Sequence, residues 1–231
     1  MLMEGEYYMK ENYKVIILTG VTGSGKTEFS IQYSLFLAKQ GIKVNLVDLD
    51  VINVYYRSRE SKNLLEKQGI KIWGSSNFNY NGSDLPAISY GFESLLNKKE
   101  NVIIDLAGNT NGLKLLTALK NKNFKYDMWM ICNIYREETD SEEKILSLIK
   151  EYEKFSNFKI TGIINNSNFL EFSTEEDLLL GEKILLNVSK KLNIPLICTV
   201  LLEKNREIQS KLRNKNIFFI NKLFNRKTWM E

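Results

Sequence analysis

Gly20, Gly25, Lys26 and Thr27 in "GVTGSGKT" have the spacing G-x-x-x-x-G-K-[ST]. Glycines let backbone N–H groups turn inward around a phosphate, the lysine brings charge to β- and γ-phosphates, and the threonine hydroxyl suits Mg²⁺. Gly23 and Ser24 complete the expected cradle, and Glu28 follows it on the first helical turn. A plain glycine-rich turn between strand and helix is the bland alternative.

Two further stretches supply acids. "VNLVDLD" sets Asp48 and Asp50 two residues apart at a strand end, and so on one face of it. An acid there can orient an attacking water or hold a metal-bound one, because ligands of doubly wound sheets lie at C-terminal strand ends. Two exposed strand-end aspartates without a role are the alternative. "NVIIDLAG" is an apolar strand followed by Asp105, placed to hold Mg²⁺ opposite Thr27. Gly108 then completes a D-x-x-G segment whose backbone N–H can meet a γ-phosphate. Lys26 is an expected catalytic residue, and Thr27 and Asp105 are expected metal ligands.

Elements able to position these residues are legible along the chain. Apolar β-branched runs at 14–20, 43–50, 70–74, 101–108, 126–135, 159–168 and 195–202 predict strands. Helical spacing lies between them at 26–40, 61–69, 87–99, 111–122, 141–155 and 173–193, with another helix after 202. Ser173 and Glu176 have the spacing of a capping box. Apolar strands alternating with helices mean an α/β, doubly wound, mainly parallel sheet covered on both faces. The expectation is one domain over 1–231, with 1–13 an N-terminal extension and 217–231 a C-terminal tail.

Composition narrows the chemistry. The 231 residues carry a net charge of +4 and no histidine, which excludes histidine acid–base chemistry and histidine-ligated metals. Lys and Arg form no concentrated run, so no nucleic-acid partner is expected. Cys132 and Cys198 lie in predicted strands without C-x-x-C spacing and read as buried thiols. No apolar run approaches the roughly 20 residues of a membrane span, and the acidic start is unlike a signal peptide. A cytoplasmic location is expected.

The P-loop, the Asp-x-Asp after the second strand and the D-x-x-G together resemble the MinD/ParA/CobQ-type ATPases of the SIMIBI class. "DLDVINVYYRSRE" (48–60) and "SDLPAIS" (83–89) resemble a MinD-like ATP-binding branch in particular. The resemblance implies a Mg²⁺-ATP site in which Asp50 activates water and Asp48 supports the metal shell. It also implies a base-reading asparagine after a late strand, where "GIINNSN" supplies Asn165 and Asn166. A guanine site would ask for an N-K-x-D aspartate, and none follows this strand; ATP is therefore the expected nucleotide. A polar strand exit is the alternative for the asparagines.

Val21 stands where loops of that family commonly carry a lysine that reaches a neighbouring subunit's nucleotide. A homodimer sandwich of that design is therefore not expected unless Arg57 or Arg59 replaces the charge. The stretch 74–86 reads as a lid or partner loop. The tail combines apolar bulk with Lys222, Arg226 and Lys227, and reads either as a basic amphipathic membrane helix or as an edge strand at 217–220. Two functions stay open: an ATP-dependent switch on a protein partner, and a ligase, synthetase or kinase on the same scaffold, like dethiobiotin synthetase. A non-hydrolysing scaffold is a third.

Overall fold

The structure is a computed structural model that describes residues 14–49, 59–73, 94–96, 100–108, 110–117, 119 and 124–224. Among them, eight strands form one sheet in the order β3-β2-β4-β1-β5-β6-β7-β8. The strands are β1 (Val15–Thr19), β2 (Val44–Asp48), β3 (Ile70–Trp73), β4 (Asn101–Asp105), β5 (Tyr126–Cys132), β6 (Gly162–Asn165), β7 (Leu196–Leu202) and β8 (Ile217–Ile220). Every pairing is parallel. The three-layer α/β architecture expected from the sequence is the one observed.

Helices α1 (Lys26–Lys39), α2 (Arg59–Lys67), α3 (Thr110–Thr117), α4 (Glu142–Ser156) and α5 (Glu175–Leu192) cover the sheet. The period of two in β1 divides the core. Val15 and Ile17 pack with Leu113, Ile145, Ile149 and Leu185 from α3, α4 and α5. Ile16 and Leu18 pack with Phe29, Tyr33, Leu37 and Leu65 from α1 and α2. Burying both faces of a strand requires the continuous apolar run that its sequence shows.

β1 lies between β4 and β5, so the chain leaves it in one direction toward β2 and in the other toward β6. The glycine loop between β1 and α1 therefore occupies a topological switch point, the usual ligand crevice of such sheets.

Two local expectations need correction. The capping box of α5 is Thr174 with Asp177, not Ser173 with Glu176. "STEED" satisfies the pattern in two frames, and Ser173 is used instead to take the Phe169 N–H at 2.7 Å. The segment after β7 is a tight 3-10 run, Glu203–Lys211, kinked at Asn205, rather than an α-helix. Ile217–Ile220 form β8 at the edge beside β7, the edge-strand reading of 217–220 rather than the amphipathic-helix one.

Beyond β8, the Glu28 carboxylate accepts the Phe224 N–H at 2.7 Å, and the Gln32 amide donates to the Lys222 carbonyl at 2.8 Å. Residues 222–224 are thereby clasped to the first turns of α1. Residues 225–231 lie outside the described residues, as does most of the predicted helix at 87–99.

Candidate functional site: a phosphate-binding loop

The loop from Gly20 to Gly25 has left-handed φ values at three glycines: 140° at Gly20, 76° at Gly23 and 92° at Gly25. A side chain would be strained at each of these values, and space forbids one as well. A Cβ on residue 20 would lie 2.4 Å from the Ile131 carbonyl oxygen, and one on residue 25 would lie 2.1 Å from Asn166 Nδ2. Gly25 is also the N-cap of α1 and has no side chain to satisfy the first-turn amides. Those amides and the helix dipole face the loop, which suits an anion.

Lys26 is buried at 6% exposure, and its Nζ donates to the Val21 carbonyl at 2.9 Å across the loop. A mostly buried ammonium is costly unless oxygen atoms surround it. The loop supplies one such oxygen, and phosphate would supply charged ones. Val21 itself is buried at 3% exposure, so its side chain packs inward instead of presenting a group to a neighbouring subunit.

Asp48 and Asp105 end the adjacent strands β2 and β4 as register partners. Asp105 is 2% exposed, while Asp48 is half-buried. Three residues on, Gly108 touches the loop: a Cβ there would lie 2.6 Å from the Thr22 nitrogen and 2.8 Å from Lys26 Nζ. The Thr22 hydroxyl also donates to the Gly108 carbonyl at 3.4 Å. The structure thus brings together Gly20, Gly23, Ser24, Gly25, Lys26, Thr27 and Gly108, with Asp48 and Asp105 at the neighbouring strand ends. Glu28 lies on the same turn of α1, but its carboxylate holds Gln32 and Phe224. Asp50 and Arg57 lie outside the described residues, as does 74–86; Arg59 opens α2.

The asparagines after β6 hold structure. Asn165 is 1% exposed, and its Oδ1 accepts the Ser167 N–H at 3.1 Å, closing the strand exit. Asn166 donates from Nδ2 to the Ser24 carbonyl at 2.7 Å, joining the β6 exit to the phosphate loop. Asn168 donates to the Asn166 carbonyl at 2.9 Å and accepts the Leu170 N–H at 3.1 Å.

The turn after β5 contributes a residue that sequence reasoning missed. Arg136 Nε donates to the Gly23 carbonyl at 2.9 Å. Beside it, the Tyr135 hydroxyl donates to Asp177 at 2.8 Å; burial and that carboxylate push the phenol well above its ordinary range. A single arginine in "IYREET" has no spacing signature that could have revealed it.

The residues present fit a Mg²⁺–nucleotide. The glycine cradle excludes side chains, and among the described residues the buried hydroxyls of Thr19 and Ser24 have no protein partner. Thr27 and Asp105 are hard oxygen donors of the kind Mg²⁺ takes, completed by phosphate and water. A cage of three or more His, Cys, Asp or Glu is absent from the described residues, and a phosphate-borne Mg²⁺ does not need one. Both thiols are buried and unpaired. No described helix is long and apolar enough to cross a membrane.

No protein-family model matches the chain. It is 33% identical over 128 residues to the signal recognition particle 54 kDa protein of Sulfolobus acidocaldarius, covering 54% of this chain and 27% of that one. The Sulfurisphaera tokodaii counterpart is 37% identical over 114 residues, 46% and 24% of the two chains. The chain thus spans about a quarter of the length of these relatives.

Among solved structures, the signal recognition particle 54 kDa protein of Aeropyrum pernix in complex with GDP has a TM-score of 0.59 at 19% identity, covering 94% of this chain and 43% of that one. The signal recognition particle receptor FtsY of Elizabethkingia anophelis in complex with GDP has a TM-score of 0.57 at 17% identity, with coverages of 91% and 67%. A nucleotide-binding protein of Archaeoglobus fulgidus in complex with ADP has a TM-score of 0.51 at 15% identity, with coverages of 87% and 86%. At such identities the likeness is one of fold.

The fold is that of a SIMIBI-class P-loop NTPase. The resemblance to MinD/ParA-type ATPases holds at the level of that class. The sequence matches point instead to the signal recognition particle 54 kDa proteins.

Proposed function

We propose that the chain is a Mg²⁺-dependent P-loop NTPase that acts as a nucleotide-controlled switch on a protein partner, with a guanine nucleotide as its first candidate ligand. The observation that carries the switch is the contact of Gly108 with Thr22 and Lys26. The D-x-x-G segment rests on the phosphate loop, so a γ-phosphate gained or lost there moves both together. Lys26 and the loop amides take the phosphates; Thr27 and Asp105 hold Mg²⁺, with Asp48 beside them. Asp50 remains the residue proposed to orient water.

Support for guanine comes from two solved structures of like fold that carry GDP, while a third of like fold carries ADP. Adenine also keeps an observation from this chain's own residues. Asn165 to Asn168 end in an amide where N-K-x-D would place a carboxylate to accept two guanine N–H groups. The base preference is therefore expected to be small.

The test is equilibrium binding of GTP, ATP, GDP and ADP with and without Mg²⁺, followed by phosphate release from the purified protein. Binding of GTP at least as tight as ATP, with slow turnover lost in Asp50→Ala, supports the reading. Binding of ATP alone removes the guanine assignment. Fast turnover that depends on an added metabolite sinks the switch in favour of a small-molecule synthetase or kinase.

A further inference from the structure

Arg136 is placed on the phosphate loop by a turn built for rigidity. Its backbone N–H donates to the Asn133 carbonyl at 3.1 Å, and its own carbonyl accepts the Thr139 N–H at 2.9 Å. The same Asn133 carbonyl takes the buried Thr139 hydroxyl at 2.6 Å, and Asn133 Oδ1 takes the Tyr135 N–H at 3.1 Å. The backbone is thus fixed on both sides, while the side chain is exposed.

The guanidinium lies against Gly23. A Cβ on residue 23 would come within 3.0 Å of Cζ and Nε and 3.2 Å of Nη2. Only a glycine leaves that face of the loop to the arginine. Among the described residues, the one hydrogen bond of this guanidinium is Nε to the Gly23 carbonyl, so Nη1 and Nη2 are not used by them.

Strand order decides which part of the loop this is. Gly108 follows β4 and Arg136 follows β5, and these two strands flank β1. The pair therefore brackets Thr22 and Gly23 from opposite sides. If the reading under Proposed function holds, the outermost phosphate lies over Thr22 and Gly23, between Gly108 and Arg136.

Lys26 shows how cations behave here: like Arg136, it donates to a loop carbonyl. A phosphate oxygen carries a charge that a carbonyl lacks, and the guanidinium fork matches phosphate in a bidentate way. We propose that Arg136 is a second cation of the phosphate cradle, which contacts the terminal phosphate of a bound nucleoside triphosphate and so sets the preference for tri- over diphosphate. This inference rests on the nucleotide reading above.

A brace that merely shapes the loop would act on both nucleotides alike, so the ratio is the readout. Binding of GDP and of a non-hydrolysable GTP analogue is measured for the native chain, Arg136→Ala and Arg136→Lys, with thermal melting as the check on folding. In Arg136→Ala, triphosphate affinity is expected to fall about tenfold or more and diphosphate affinity by less than about threefold. Arg136→Lys keeps the charge without the fork and is expected between them; it decides the matter if the alanine variant does not fold. Equal losses for both nucleotides, or none, overturn the proposal while leaving the nucleotide reading intact. If the native chain binds neither GTP nor ATP, the reading itself fails and the proposal falls with it.

Discussion

The amide nitrogen of Asn166 stands where a side chain on Gly25 would have to begin. A Cβ there would lie 2.1 Å away, and the same amide donates to the neighbouring Ser24 carbonyl at 2.7 Å. The glycine before Lys26 is therefore demanded by a residue from β6 as well as by its own φ of 92°.

Gly25→Ala is expected to cost at least about 2 kcal/mol, since it adds backbone strain to a steric clash. For a chain of this size the melting temperature falls by about 4–8 °C. The double variant Gly25→Ala with Asn166→Ala removes the clash but not the strain. Recovery of part of the loss, by calorimetry, identifies Asn166 as the obstacle.

Gly108→Ala sets a methyl 2.6 Å from the Thr22 nitrogen and 2.8 Å from Lys26 Nζ. The expected result is selective damage: diphosphate binding close to native, and the response to triphosphate reduced by about tenfold or more. Paired titrations of GDP and a GTP analogue measure it. An equal loss of both would mean that residue 108 serves the loop's shape alone.

Asp105→Asn retains size and removes the charge offered to Mg²⁺. Nucleotide binding should then lose most of its dependence on Mg²⁺, while binding in EDTA changes little. A Mg²⁺ titration at fixed nucleotide gives the answer, and an unchanged Mg²⁺ dependence would reassign the metal to Asp48 or Asp50.

Burial raises the Cys132 thiol from 9.0 to about 12 and pushes Cys198 higher still. A folded-state value above the unfolded one means that the neutral thiol stabilises the fold fully below pH 9.0, and that this stability is lost as pH rises toward about 12. Melting temperature should therefore decline above about pH 9. At pH 8 both thiols should resist a thiol reagent until denaturant is added.

Much of this site is legible in sequence because its signals are local. The phosphate loop is eight consecutive residues, and Asp105 and Gly108 share one short motif. Strands are legible because β1 and β4 must be apolar on both faces. Strand order is not, since nothing in the apolar runs records that β4 separates β1 from β2. Asn166 is visible as a polar residue after a strand, but its partner Ser24 is 142 positions away. Arg136 has no pattern around it, and its partner is a backbone carbonyl whose sequence carries no mark of being chosen. Thr174 and Asp177 show a smaller limit, since two overlapping caps fit one string and only packing selects between them.

The clasp between Glu28 and Phe224 spans 196 positions and ends one residue from Thr27. During synthesis, then, the helix that opens the nucleotide site emerges early and waits for a segment beyond β8 before its first turn is secured. A ribosome-bound chain halted before residue 217 should hold nucleotide more weakly than the released protein. Ligand capture would in that way be timed to the emergence of residues 222–224.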